Sequence, residues 1–76
     1  MAKFYRDAGN FHAAYLRAKD AVKLIPDDPE AHFLLGESAQ KLQLKEEATA
    51  ELNTYLKLEP EGDHVRAARR ALEALK

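Results

Sequence analysis

The 76-residue chain carries 46% hydrophobic and 33% charged residues, no cysteine, and a formal net charge of -1. This balance suits a folded domain; it excludes disulfide staples and thiolate metal sites, and it lacks the basic excess of a nucleic-acid binder. A domain of this size hides only about 60% of the surface its unfolded chain exposes, so stability must come from close helix packing or from neighbours.

Ala, Leu, Glu, Lys and Arg dominate, and β-branched residues are few (Val22, Ile25, Thr49, Thr54 and Val65). The chain therefore reads as helical throughout, and five helices are predicted. Residues 1–8 form the first, which Gly9-Asn10 breaks. Residues 11–24 form the second, with Ala14, Ala18, Ala21, Val22 and Ile25 on one stripe. Pro26 ends it, because the residue before a proline is pushed out of the helical region. Asp28 is a good N-cap, Pro29 fits the first helical position, and Glu30 suits the positive end of the helix dipole. They open a third helix over 29–42, with Ala31, Leu34, Leu35 and Ala39 inward. A break falls at Gln43-Leu44. A fourth helix over 45–58 buries Ala48, Leu52, Tyr55 and Leu56, and Pro60-Glu61-Gly62 ends it. Asp63 is expected to cap a fifth helix over 64–75, with Val65, Ala68, Leu72 and Leu75 inward. Connections this short make successive helices antiparallel neighbours.

Pro26 and Pro60 stand 34 residues apart, and the same offset relates Ala14 to Ala48, Lys23 to Lys57 and Leu24 to Leu58. Small residues at Gly36 and Ala48 would let two helix backbones approach. The proline would close one unit and set the angle of the next. The stretch "HFLLGESA" supplies Leu35-Gly36, and "EEATAELNTYLKLEP" supplies Ala48, Leu52 and Pro60. The preceding unit supplies Gly9, Phe11, Ala14, Ala21 and Pro26.

In these residues, and in its 34-residue period with two helices per unit, the chain resembles the tetratricopeptide repeat family over essentially its whole length. The resemblance implies an all-α fold: antiparallel helical hairpins stacked as a short right-handed superhelix of about five helices. It implies a single domain over 1–76, made of a truncated repeat (1–28), a full repeat (29–62) and a capping helix (63–76). The sequence departs from the family pattern at His32, where Trp is usual, and at Ala39, where an aromatic is usual. Tyr55 takes the place of a small Ala, Ala18 that of a large residue, and Gln43 that of the turn glycine. Tyr55 and Ala18 are expected to trade volume across one layer. Gln43 is expected to adopt a left-handed conformation, at a cost of roughly 1 kcal/mol.

His12, His32 and His64 are far apart in sequence and show no metal-ligand spacing, so no metal is expected, and His32 reads as a core-edge residue with a hydrogen-bonded ring. Ser38, Thr49 and Thr54 lie on helices without a nucleophile elbow, and there is no phosphate loop or dinucleotide fingerprint. No enzyme activity and no cofactor are expected.

The resemblance implies a protein-interaction scaffold whose concave face is lined by the first helix of each pair. Carried over position by position, the partner-binding set is Lys3, Arg6, Glu30, Phe33, Glu37, Gln40, Lys41 and His64, with Ala67 beside them. Phe33 is the single large apolar member and the expected anchor for a peptide or partner helix. The competing reading is a solvated mixed-charge face with Phe33 covered by a neighbour. The paired Lys and Asn residues with which some relatives grip a terminal carboxylate are missing: apart from Lys3, those places hold Leu34, Glu30, Ala68 and His64. The last helix is basic, with Arg66, Arg69, Arg70 and Lys76 against Glu73. It reads as a polar cap or as a contact for an acidic surface.

No nucleic acid or membrane partner is expected, since no apolar run approaches the roughly 20 residues of a span. "MAKFYRDAGNFH" lacks the apolar core of a secretory signal, so a cytoplasmic location is expected. A different reading is a purely structural module, natural or engineered, that self-associates through its exposed ends and has no ligand of its own.

Overall fold

The computed structural model describes the backbone of residues 2–76 and the side chains of residues 10–76. Among the described residues there are four helices: α1 (Ala2–Leu24), α2 (Pro29–Lys41), α3 (Lys45–Leu58) and α4 (Val65–Leu75). They pack as antiparallel neighbours, and α2 is central, touching each of the other three.

The five-helix expectation is corrected to four, because α1 runs unbroken through Gly9 and Asn10. A glycine inside a helix costs only about 1 kcal/mol relative to alanine, and asparagine less. Both keep the amide that a proline lacks, so neither forces a turn. The true breaks have stronger causes. Pro26 follows the end of α1, and the Asp28 side chain accepts a hydrogen bond from the Glu30 amide at 3.1 Å, with Pro29 at the start of α2.

Between α2 and α3 the chain turns through Gln43, whose φ of 65° is left-handed as expected. The Gln43 amide donates to Gln40 O at 3.0 Å and the Leu44 amide to Ala39 O at 2.8 Å. This pair of bonds satisfies carbonyls that the helix end would otherwise leave free.

The second proline turn departs from expectation at Asp63, which does not cap α4. The helix starts at Val65, and no side chain caps it. The His64 amide donates instead to the Tyr55 hydroxyl at 2.9 Å. That hydroxyl lies where a Cβ on Gly62 would fall only 2.6 Å away, so the tyrosine fits because residue 62 has no side chain.

The tightest crossing is between α2 and α3. A Cβ on Gly36 would lie 2.8 Å from Leu52 Cγ and 3.2 Å from the Leu52 backbone nitrogen. Leu52, Ala48 and Ala39 are all fully buried around it. Phe33, Leu52, Tyr55 and Ala68 form the core cluster, with Leu56, Val65, Ala71, Leu72 and Leu75 packed against it.

Three inward assignments are corrected. Leu34 is 44% exposed and Ile25 59% exposed, and Ala14 is also on the surface. Leu34 and Ala14 line a hollow between α1 and α2, where alanines cover little. The buried face of α2 carries His32, Phe33 and Ser38 in addition to Ala31, Leu35 and Ala39. Tyr55 and Ala18 do not share a layer: Tyr55 belongs to the core cluster, whereas Ala18 faces Ala31 and Leu34 across the α1–α2 contact.

Candidate functional site

Glu30, Phe33, Glu37, Gln40 and Lys41 recur at spacings that place them along one side of α2. α4 returns beside that side after crossing α3. Between the two helices runs a groove of about 540 Å³, with Phe33, Glu37, Gln40 and Lys41 from α2 and Leu52 beneath. α4 supplies Arg66, Ala67, Arg70, Ala71 and Ala74. The alanines at 67, 71 and 74 lie on one stripe of α4, and their small side chains leave the groove open.

Phe33 sits in the floor of this groove, not above it. It is only 6% exposed. The His64 ring stacks on it with centroids 4.3 Å apart and planes 8° from parallel, and Tyr55 tilts against it at 5.4 Å. The neighbour that covers Phe33 is therefore within the chain, and a free aromatic anchor projecting into the groove is corrected to a buried one. His64 closes one end of the groove, with its Nε2 3.3 Å from Glu30 Oε2. Both of those side chains are well exposed, so the pair adds little to stability.

The structure thus gathers six of the expected residues on one side: Glu30, Phe33, Glu37, Gln40, Lys41 and His64. The Lys41 ammonium lies 5.8 Å from the centre of the Phe11 ring, and so leans toward α1. Lys3 and Arg6 lie outside the described side chains. Arg66, Arg70, Ala71 and Ala74 had not been expected in this set. Their signal was present: Ala67, Ala71 and Ala74 repeat at four and three, and Arg66 and Arg70 stand four apart beside them. Among the described residues, neither arginine is ion-paired with a described carboxylate.

The groove offers cations, two carboxylates (Glu37, and Asp63 from the turn before α4), an amide and an apolar floor, which is binding chemistry. Among the described residues no group of three His, Asp or Glu side chains stands where it could hold a metal ion, and no helix is long and apolar enough to cross a membrane.

A family profile described as tetratricopeptide repeat matches residues 5–73. No curated protein and no solved structure matches the chain. Tetratricopeptide repeats generally mediate protein–protein interactions and are typically non-catalytic. Because the matched stretch takes in both proline turns and nearly all of the four helices, the chain belongs to the tetratricopeptide repeat family.

Proposed function

We propose that the chain is a non-enzymatic interaction scaffold that holds an extended peptide or a partner helix in the groove between α2 and α4, without a cofactor. The observation that carries this reading is the alanine wall of α4. Ala67, Ala71 and Ala74 leave open a channel over an apolar floor, while Arg66 and Arg70 stand beside it without an ionic partner among the described residues. A segment with small apolar side chains and a flanking carboxylate matches that lining. Glu30, Glu37, Gln40, Lys41 and His64 are the α2-side and end contacts, and Lys3 and Arg6 would extend the same face.

The domain reading belongs with it: 1–28 as a truncated repeat, 29–62 as the full repeat, and 63–76 as a cap on a right-handed stack. The 34-residue offset supports the cap. It sets Arg69, Arg70 and Glu73 of α4 where α2 has Leu35, Gly36 and Ala39. Those three α2 residues are buried under α3, whereas the α4 residues are exposed. An arginine in place of Gly36 would hold off a helix packed as α3 is.

Peptides selected from a displayed library on the unmodified chain provide the test. Ala74→Trp would fill the groove from an exposed position, and should weaken binding at least tenfold with an unchanged Tm. Unchanged binding by Ala74→Trp and by Arg70→Glu would remove the groove from the reading. Phe33 is unsuited to this test, because truncating it opens the core.

A second reading is self-association through the α1 side, favoured by an apolar hollow of about 310 Å³. Ala14, Arg17, Ala18, Ala21, Ala31 and Leu34 line it. Light scattering at high concentration separates the two readings: a monomer that Leu34→Glu leaves unchanged rules this one out.

A further inference from the structure

His32 lies at the junction of three elements and is 7% exposed. Its Nδ1 lies 2.6 Å from Glu51 Oε1 on α3, and its Nε2 lies 2.6 Å from the Pro26 carbonyl oxygen in the turn after α1. Both partners are acceptors when Glu51 is ionised. A neutral imidazole carries one N–H and can donate to only one of them. The other ring nitrogen would then point a lone pair at an oxygen in close contact. Two such contacts are satisfied together by the imidazolium, which donates through both nitrogens.

We propose that His32 is a proton-operated staple: protonated, it ties the turn between α1 and α2 to α3, and on losing that proton it releases one of the two ends. The released contact would be the Pro26 carbonyl, for which no other hydrogen bond is found, or the Glu51 carboxylate. Either release loosens the angle at which α1 meets the rest of the stack. The device is independent of the α2–α4 groove, which lies on another side of α2.

The surroundings favour the charge. Burial opposes it, but the hydrogen bonds to Glu51 and to the Pro26 carbonyl, together with the charges of Glu51 and Asp28, outweigh burial, so the His32 pKa rises above its ordinary value of 6.5. Asp28 faces the ring from the turn and Glu51 from α3. From α1, Lys19 feels Glu51 only weakly, its ammonium being engaged by Tyr15 and Glu47. A histidine whose folded pKa exceeds its unfolded value adds stability in full below pH 6.5 and loses it as pH rises through the folded value. The staple therefore holds in mildly acidic solution and weakens toward alkaline pH.

The chain holds two further histidines, His12 and His64, so the experiment must resolve His32 individually. Nitrogen-15 NMR of the imidazoles does so. His32 should show two protonated nitrogens at pH 6 and a midpoint above the ordinary histidine value. The amide shifts of Ile25, Asp27 and Asp28 should follow the same curve. In Glu51→Gln, the side-chain amide can turn either its oxygen or its NH2 toward Nδ1, so a neutral ring is also satisfied and the midpoint should fall. Thermal melts add a second measurement: the unmodified chain should lose several degrees of Tm between pH 6 and pH 9 relative to its own His32→Gln variant. A neutral His32 ring at pH 6, or a midpoint that Glu51→Gln does not move, overturns the proposal. So do amide shifts at Ile25, Asp27 and Asp28 that ignore the titration.

Discussion

On one side of α2, Leu52 of α3 reaches the backbone at Gly36 so closely that a methyl group there would clash at 2.8 Å. On the other side, α1 meets α2 with alanines at 14, 18, 21 and 31, and a hollow of about 310 Å³ remains between them. Both crossings rest on small residues, yet they are packed to different depths. At the α2–α3 crossing a small residue is matched by a large one, so the helices close and the gap fills. At the α1–α2 crossing the alanines of α1 face Ala31 and a half-exposed Leu34, and no large side chain fills the gap. Ala18 is the key difference, because it occupies the place in α1 that Leu52 occupies in α3. Small side chains permit close approach, but a bulky partner must convert that approach into buried area.

The largest expected effect tests this asymmetry by truncation. Leu52→Ala removes a fully buried side chain and should cost about 2–5 kcal/mol. Leu34→Ala, on the loosely packed side and 44% exposed, should cost less than about 1 kcal/mol. Urea unfolding of the two variants measures both. Equal losses would mean that the two crossings share one degree of packing.

The next effect reverses the sign of the change. Gly36→Ala adds one methyl where Leu52 already stands, and should cost about 1–3 kcal/mol despite the better helix propensity of alanine. Ala14→Leu adds a larger group on the α1 side, where the hollow can take it. It should be neutral or stabilising by up to about 1 kcal/mol. Thermal melts of the pair decide the matter: two comparable losses of Tm would show that the hollow is not free to be filled.

The same contrast explains how much was legible in the sequence. The α2–α3 hairpin was readable because its signals are local and strong. Asp28 and Pro29 start α2, the prolines punctuate the chain, and Gly36, Ala48 and Leu52 sit in register. The α1 side was not readable to the same degree. Gly9-Asn10 carries the composition of a turn, but a turn there depends on what packs against it, and the helix continued through. Leu34 and Ile25 look like core residues by type and spacing. The exposure of Leu34 follows from the small alanines opposite, a tertiary fact that no single segment contains. The groove was half legible. The α2 side followed from the helical period, whereas the wall of α4 depended on where the second proline turn delivered that helix. The burial of Phe33 depended on His64, thirty-one residues away, stacking on it.

The smallest effect bears on the turn that lets the tight crossing form. Gln43 holds φ at 65° while its amide and that of Leu44 bond back to Gln40 and Ala39. A side chain in this conformation crowds its own backbone by roughly 1 kcal/mol, which glycine avoids. Gln43→Gly should therefore stabilise by about 0.5–1 kcal/mol, because the greater freedom of glycine in the unfolded chain cancels part of the gain. The urea midpoint should rise with an unchanged slope. Gln43→Ala provides the control: alanine keeps the Cβ that causes the crowding, so it should bring none of this gain. If glycine and alanine shift the midpoint equally, the left-handed residue stores no strain, and the tightness of the α2–α3 hairpin owes nothing to its turn.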